Sequence, residues 1–339
     1  MNDEFTQRLK KIEHTLDTFF AVPGTQNTKA SREEDGNPLA LLSEPYLPLL
    51  SGGGKRWRPL LMVLCYELAG GRDDSVYSLV PLIEGIHTAS LIHDDIEDNS
   101  VLRRGKPAAH IVYGLDSALN AGSGLYFKAL QSLETCDAPA DIKLDLYAAA
   151  VHHIHALHEG QALDIHWHRN PGCFPSQGSY RQMIRLKTGA LAVLAAYTGM
   201  RLAGKTKAEA EQVSAFFSGA GIGFQIADDV KNITVGNAGK KRGDDITEGK
   251  KSLPVIIHIE KHPEDAAALT AYFEQARKEG IDSPAVEQVI QMLHRSGSVT
   301  EAAEQGIAAV KRLFEQLTAY FGKPAHEVFS RLFEVMQTW

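Results

Sequence analysis

The sequence predicts an all-α protein built as a single large helical bundle domain. Apolar residues recur at helical spacing along almost all of its 339 residues, whereas the alternation of a half-buried strand is nearly absent. Hydrophobic residues make up 44% of the chain and aromatic residues only 8%, a composition that favours helix. No linker rich in Pro, Gly or Ser divides the chain, so we expect one domain of roughly ten or more helices.

The first element is predicted to be a helix, because Phe5, Leu9 and Ile12 recur at helical spacing. A polar loop follows at 24–38, where glycine, proline and small polar residues are concentrated. The domain then divides into three stretches: an N-terminal helix and loop at 1–38, a core that carries the motifs at 40–260, and C-terminal scaffold helices at 261–339.

Within the core, loops are predicted at 52–54, 170–178 and 236–249, where glycine and polar residues interrupt the apolar pattern. Several helices are expected between the first two of these loops, and one long helix is predicted just before the first acidic motif. Its apolar residues, among them Leu79 and Ile83, lead directly into an acidic motif.

Charge and cysteine content limit the classes of partner and compartment. The net charge of -7 argues against bulk nucleic-acid binding, which normally requires a basic face. Three cysteines without metal-type or redox-type spacing are expected in a reducing compartment. Charged residues run through the first twenty positions, and Arg201 breaks the apolar stretch at 190–203, so neither a signal peptide nor a membrane span is predicted. We therefore expect a cytoplasmic protein.

The first acidic motif, D-D-I-E-D at 94–98, predicts a metal-assisted phosphate site. Asp94 and Asp98 lie four residues apart and share one face of a helix, with Asp95 on its flank. Carboxylates grouped so closely repel one another unless cations lie between them. Mg²⁺ prefers oxygen ligands and typically combines one or two carboxylates with phosphate oxygens of a substrate.

A second acidic motif at 228–232 has the same character. Asp228 and Asp229 follow a short apolar stretch of sequence, and Gln225 lies one turn before them. The third acidic position of this motif is taken by Asn232, a neutral and weaker oxygen ligand, so we expect Asp228 to bind metal with support from Asp229.

Basic residues occur in four groups, and they supply the positive charges that bind a phosphate. Arg103 and Arg104 are adjacent and are expected to diverge, so that each can hold a different diphosphate. The other basic residues that follow loops or motifs are Lys55, Arg58, Lys187, Lys240 and Lys250.

Five segments in this order resemble the trans-isoprenyl diphosphate synthase (polyprenyl synthetase) family. They are G-G-G-K-R-W-R-P at 52–59, L-I-H-D-D-I-E-D-N-S-V-L-R-R-G-K-P at 91–107, K-T-G at 187–189, G-F-Q-I-A-D-D at 223–229 and G-D-D-I-T-E-G-K-K-S-L-P at 243–254. The motifs look closest to those of eukaryotic-type geranylgeranyl diphosphate synthases. The resemblance implies an all-α isoprenoid-synthase fold with a central substrate cavity, usually in a homodimer.

The resemblance also implies an activity: head-to-tail condensation of isopentenyl diphosphate with an allylic diphosphate. About three Mg²⁺ ions would be held by Asp94, Asp98 and Asp228, with Asp95 and Asp229 supporting them. Thr188 and Gln225 would direct oxygen dipoles towards the reacting allylic carbon. Allylic diphosphate would be bound by Arg103, Lys187, Lys240 and Lys250, and isopentenyl diphosphate by Gly54, Lys55, Arg58, His87 and Arg104.

Product length is expected to depend on residues near the first acidic motif. Ser90 lies one turn before Asp94, and Ala89 beside it is also small, so the upper cavity is open to long products. By resemblance to fungal twenty-carbon enzymes, Tyr126, Phe127 and His158 would form the cavity floor. The expected main product is geranylgeranyl diphosphate.

Four alternatives remain open at this stage. With a shorter product, the chain would be a farnesyl diphosphate synthase. With a longer product, it would be a polyprenyl diphosphate synthase. A terpene cyclase shares an acidic metal motif but has no second diphosphate to bind, which disfavours that class here. A non-catalytic regulatory subunit of the family typically lacks an acidic motif, whereas this chain has both.

Overall fold

The computed structural model describes residues 3–22, 37–236 and 241–337. It confirms the all-α prediction, with eighteen α-helices and one two-stranded ladder in these residues. The first eleven helices are α1 (Asp3–Phe19), α2 (Pro38–Ser43), α3 (Leu47–Ser51), α4 (Trp57–Leu68), α5 (Val80–Glu97), α6 (Ala109–Tyr113), α7 (Leu115–Leu130), α8 (Ser132–Thr135), α9 (Ala140–Arg169), α10 (Gln177–Ile184) and α11 (Ala190–Leu202).

The remaining helices are α12 (Lys207–Thr234), α13 (Asp244–Glu248), α14 (Leu253–Lys261), α15 (Ala266–Glu279), α16 (Pro284–Arg295), α17 (Ser298–Phe321) and α18 (Lys323–Gln337). Most of the predicted loop at 24–38 lies outside the described residues. The predicted loop at 236–249 contains α13, which begins after Gly243 and ends at Gly249, both in the left-handed conformation. Two short strands, β1 (Leu102–Arg103) and β2 (Lys106–Pro107), pair antiparallel just after the first acidic motif.

The chain divides into two compact units: 1–151 with 194–211 and 327–338, and 152–193 with 212–326 and 339. The prediction of one domain therefore stays a prediction. In the first unit, α5 is the central element and packs closely on α7. A Cβ on Gly85 of α5 would lie 2.8 Å from the Cβ of Ala129 on α7, so only glycine permits this approach.

The segment Ser75–Glu97, which contains α5, is the one described helix long and apolar enough to cross a membrane. Of its most apolar window, 72% is buried inside the protein, as is usual for a core helix. The second unit has two apolar clusters. One surrounds Phe273 and Ile246, and the other surrounds Tyr180 and Trp167.

Candidate active site

The first acidic motif lies at the C-terminal end of α5, in the first unit. Asp98 is the C-cap, and its amide donates to the Asp94 carbonyl at 2.9 Å. Asp95 is only 1% exposed, whereas Asp94 and Asp98 are partly exposed. The structure therefore separates one internal carboxylate from two that solvent can reach.

Arg103 on β1 binds both neighbouring aspartates of this motif. Its Nε donates to Asp95 Oδ1 at 2.8 Å, and its Nη2 bonds the same oxygen and Asp94 Oδ2, the latter at 3.2 Å. Burial opposes the guanidinium charge, but the bond to Asp95 and the charges of both aspartates raise the pKa of Arg103. Burial raises the pKa of Asp95, and Arg103 offsets part of that increase. Arg103 thus orients the two carboxylates and keeps a positive charge at the motif.

Residues that are distant in sequence form a second cationic group in the same unit. Arg58 Nη1 lies 3.3 Å from His87 Nε2. Arg104 Nη1 donates to the carbonyl groups of Leu49, at 3.3 Å, and Gly53. A Cβ at Gly54 would lie 3.1 Å from the Arg104 guanidinium nitrogens, so glycine permits the close approach of this loop to Arg104.

The charges in this group repel one another. Burial lowers the pKa of Arg58 to about 10, with a further decrease from Arg104 and an opposing effect of Glu84. Burial and the charges of Arg58 and Arg104 hold the pKa of His87 well below its usual value. Arg58 Nε is a buried donor without a hydrogen-bond acceptor in the described residues. An anion would relieve the repulsion, so the group has the character of an anion site.

Arg56, in the same basic segment as Arg58, has a structural role. Its guanidinium donates to Glu13 Oε1 at 2.8 Å and to Glu84 Oε1 at 2.7 Å, and also to the Leu50 carbonyl. The side chain is 1% exposed. Sequence alone could not separate this buried arginine from its neighbours.

The second acidic motif lies on α12, in the second unit, and its two aspartates differ in environment. Asp228 is exposed, and Asp229 is buried. Asp229 Oδ2 accepts from the Tyr180 hydroxyl at 2.6 Å and from the Leu253 amide at 2.8 Å, and its Oδ1 accepts from Gln225 Nε2 at 3.1 Å. Burial raises the pKa of Asp229 to about 6, although these hydrogen bonds oppose the increase. Asp228 is therefore the carboxylate of the pair that lies at the surface.

Asn232 is fully buried. Its carbonyl accepts from the Gly243 amide at 2.9 Å, and its Oδ1 accepts from the Asp245 amide at 3.4 Å. These bonds tie α12 to the start of α13 and give Asn232 a structural role.

Lys187 and Thr188 belong to a π-helical turn, Arg185–Gly189, between α10 and α11. Such turns are rare and occur frequently at functional sites. Lys187 Nζ donates to Asp164 Oδ2 at 2.6 Å, and the Thr188 hydroxyl donates to Gln225 Oε1 at 3.3 Å. Asp164 on α9 was missed by the sequence analysis, although it lies in the segment L-H-E-G-Q-A-L-D at 157–164.

Two glycines bring neighbouring helices against this turn. A Cβ on Gly160 of α9 would collide with the Lys187 backbone, and one on Gly221 of α12 would lie 2.9 Å from the Gly189 Cα. The turn is thus enclosed by two close backbone contacts, and its side chains are held in place.

Of the two lysines predicted after the second acidic motif, only Lys250 is described. Its Nζ lies 2.6 Å from Glu248 Oε2, and both side chains are partly exposed. Lys240 lies outside the described residues.

The predicted length-determining residues have different environments. Ala89 is buried, and the Ser90 hydroxyl donates to the His87 carbonyl at 2.8 Å, so its polar group is satisfied within α5. The Tyr126 ring stacks on His93, with centroids 5.7 Å apart. Phe127 is 71% exposed, and His158 on α9 is also exposed. A floor role for Phe127 stays a prediction, and it requires another surface to cover this ring.

The donor chemistry fits Mg²⁺. Asp94, Asp98 and Asp228 offer partly or fully exposed carboxylates. Across 3–22, 37–236 and 241–337, no three His, Cys, Asp or Glu side chains form a metal site from protein alone. A magnesium ion that shares its shell with substrate phosphate needs no such group.

Comparison with known proteins identifies the same family in sequence and fold. The family profile described as Polyprenyl synthetase matches residues 39–293. The chain is 35% identical over 221 residues to geranylgeranyl pyrophosphate synthase 2 of Zymoseptoria tritici, an alignment that covers 64% of this chain and 63% of that protein. It is also 35% identical over 228 residues to the geranylgeranyl diphosphate synthase of Sulfolobus acidocaldarius, which covers 66% and 68% of the two chains.

The fold matches solved structures over nearly its full length. The crystal structure of geranylgeranyl pyrophosphate synthetase from Pyrococcus horikoshii superposes with a TM-score of 0.83 at 28% sequence identity, covering 98% of this chain and 97% of that one. The similarity therefore extends beyond the motifs to the scaffold helices.

Proposed function

The chain belongs to the polyprenyl synthetase family, and from this membership we propose that it is a magnesium-dependent prenyltransferase. It condenses isopentenyl diphosphate with an allylic diphosphate, releases diphosphate, and forms a longer trans-prenyl diphosphate. One observation carries the proposal: the chain has two arginine groups of different character. Arg103 is bound to the carboxylates of an acidic motif, whereas Arg104 and Arg58 bond to backbone carbonyls and to His87.

The two groups suit diphosphates with different fates. The leaving diphosphate needs metal as well as cations, and the Asp94 and Asp98 carboxylates beside Arg103 supply the oxygen ligands, with Asp228 of the second motif. The diphosphate of isopentenyl diphosphate stays attached to its carbon chain and needs only to be bound by cationic side chains. Arg58, Arg104 and neutral His87 bind it, with Lys55 from the same basic segment as Arg58.

When bound, Mg²⁺ supplies Lewis-acid stabilisation of the charge on the departing diphosphate. Arg103, Lys187 and Lys250 add positive charge around that group, and Lys240 is proposed for the same role from the sequence alone. The allylic C–O bond then breaks, and its electron pair leaves with the diphosphate. The isopentenyl double bond attacks the allylic carbon, and a proton lost from the adjacent carbon is taken up by the released diphosphate.

Thr188 and Gln225 take part through their oxygen atoms. The Thr188 hydroxyl donates to Gln225 Oε1, so the amide is held in one orientation by this bond and by its own bond to Asp229. Their oxygen dipoles stabilise positive charge at the allylic carbon without acting as nucleophiles.

Geranylgeranyl diphosphate is the proposed main product. Ala89 and Ser90 are small, and the partly exposed Ser90 has its hydroxyl satisfied within α5, so neither side chain would block a hydrocarbon chain that passes this face of the helix. Tyr126, fixed against His93, is the proposed limit on that chain, with Phe127 and His158.

A homodimer is proposed on the basis of a line of exposed apolar residues in the first unit. Ile111 and Val112 on α6 and Leu115, Leu119 and Phe127 on α7 are all exposed. Several exposed apolar residues on two consecutive helices are typical of an interaction site, and a second copy of the chain is the proposed occupant. The partner subunit would cover Phe127 and allow it to close the cavity. A cytoplasmic location suits an enzyme whose substrates are charged diphosphates.

Calorimetric binding of isopentenyl diphosphate to Arg104→Met and Arg103→Met tests the proposal. We expect Arg104→Met to weaken this binding about tenfold, since one charge-assisted contact is lost, and Arg103→Met to change it less than twofold. Equal effects of both substitutions, or no binding to the wild-type protein, would refute two separate diphosphate sites. Absence of binding would favour a terpene cyclase.

A further inference from the structure

Lys251 is a buried lysine that the proposed chemistry does not use. The residue is 4% exposed, and its Nζ lies 4.1 Å from the Phe273 ring centroid and 5.2 Å from that of Phe174. The amine donates to the Gly249 carbonyl at 3.2 Å. Burying an ammonium group is costly unless its contacts are specific, and here they are two aromatic faces and a carbonyl.

Arg277 on α15 approaches the same backbone. Its Nη2 donates to the Glu248 carbonyl at 3.2 Å and to the His168 carbonyl. Gly249 adopts φ 80°, and a Cβ there would collide with this guanidinium. The last carbonyls of α13 therefore receive two cationic side chains, an arrangement that stabilises a helix C-terminus.

Burial and the charge of Arg277 lower the pKa of Lys251 to about 8. At neutral pH the amine thus remains mainly protonated and can make both its cation–π contacts and its hydrogen bond.

The backbone held in this way is the one that carries Lys250. Lys250 lies between Gly249 and Lys251, and its side chain is paired with Glu248 at 2.6 Å. At the far end of the segment, the Leu253 amide donates to Asp229 at 2.8 Å. The segment 248–253 is therefore fixed at both ends, by two cations on its carbonyls and by Asp229 on an amide.

We propose that Lys251 and Arg277 are positioning residues that fix the backbone from which Lys250 reaches the allylic diphosphate. The inference rests on the proposed function, in which Lys250 binds that diphosphate. Lys251 acts through its neighbour and does not touch the substrate.

Lys251→Met tests this proposal, because methionine fills the space between the two rings without a charge or a donor. We expect the KM for the allylic diphosphate to rise about tenfold, as for loss of one charge-assisted hydrogen bond, and the KM for isopentenyl diphosphate to stay within twofold. Lys251→Arg is expected to restore most of the allylic affinity. Lys278→Met, which removes an exposed lysine next to Arg277, is the matched control and should change neither constant.

The same variants are also titrated with inorganic diphosphate in Mg²⁺. This measurement separates failure of the proposed condensation activity from failure of the positioning role of Lys251. A wild-type protein that binds diphosphate but does not condense substrates refutes the proposed function, and the positioning role is then decided by whether Lys251→Met weakens diphosphate binding. Unchanged allylic KM and unchanged diphosphate binding would overturn the inference, as would an equal rise in both KM values. If Lys251→Met does not fold, Arg277→Lys is measured against the same criteria.

Discussion

The Tyr180 hydroxyl donates a 2.6 Å hydrogen bond to Oδ2 of Asp229, the buried member of the second aspartate pair. Because the Leu253 amide and Gln225 also bond this carboxylate, Asp229 connects α10, α12 and the start of α14. Asp228, its neighbour in sequence, is exposed. Two aspartates that look equivalent in the sequence therefore have different tasks: one presents a carboxylate, and the other fixes the backbone around it.

Tyr180→Phe removes this hydrogen bond and leaves a buried carboxylate oxygen with one partner fewer. We expect the free energy of unfolding to fall by about 2 kcal/mol, since the lost bond is to a charged, buried group. Denaturant unfolding measures the change. Tyr272→Phe, on a partly buried ring of the same unit, is the control. Equal stability of Tyr180→Phe and wild type would show that this bond contributes nothing.

Asp94→Ala is expected to lower kcat at least about a hundredfold at any practical Mg²⁺ concentration, because it removes a partly exposed carboxylate that we propose as a metal ligand. Asp95→Asn should differ. Its main effect is on Arg103, which loses a charged partner, so we expect reduced stability along with reduced activity. Steady-state kinetics over a range of Mg²⁺, with unfolding curves, distinguishes the two. Near-wild-type turnover of Asp94→Ala would remove this residue from the metal site.

The sequence was sufficient for the fold class and for grouping residues by chemistry. Helical periodicity identified α1 and α5, and the order of five motifs identified the family. It could not distinguish Arg56 from Arg58, since both lie in one basic segment and only the ion pairs of Arg56 with Glu13 and Glu84 separate the two.

Asp164, Tyr180 and Lys251 were also missed, because each acts through a contact made by tertiary packing. Asp164 meets Lys187 only when α9 lies against the π-helical turn. The small ladder of β1 and β2 was missed as well, since strands of two residues leave no alternation to detect.

His87 is predicted to stay neutral through the range in which histidine ordinarily titrates. Burial and nearby arginines hold its pKa well below the usual value near 6.5. The unfolded chain takes up a proton at His87 below pH ~6.5 whereas the folded chain does not, so stability falls as pH falls. Removing this group should lessen the loss of stability between pH 7.5 and 5.5 by about 1 kcal/mol. The test compares unfolding of His87→Gln with wild type at both pH values. An equal loss in both proteins would contradict a depressed pKa.

Phe127 is predicted to affect both product length and assembly. Phe127→Ala should yield products longer than twenty carbons if the ring closes the cavity. Phe127→Glu places a charge on the exposed apolar face and is expected to weaken the dimer, as measured by sedimentation. Lys128→Glu, one position along α7 and off that line of apolar residues, is the control. An unchanged product spectrum would exclude Phe127 from the cavity floor, and an unchanged mass would exclude it from the interface.

The most direct test of the whole account is condensation by the purified protein alone. Isopentenyl diphosphate is supplied with dimethylallyl, geranyl or farnesyl diphosphate in Mg²⁺, and both the prenyl product and the released diphosphate are quantified. We predict one diphosphate released for each isopentenyl unit incorporated, geranylgeranyl diphosphate as the main product, and no turnover once Mg²⁺ is chelated. Diphosphate release from the allylic substrate without incorporation of isopentenyl diphosphate, or no reaction with any of the three starters, would contradict the proposed function.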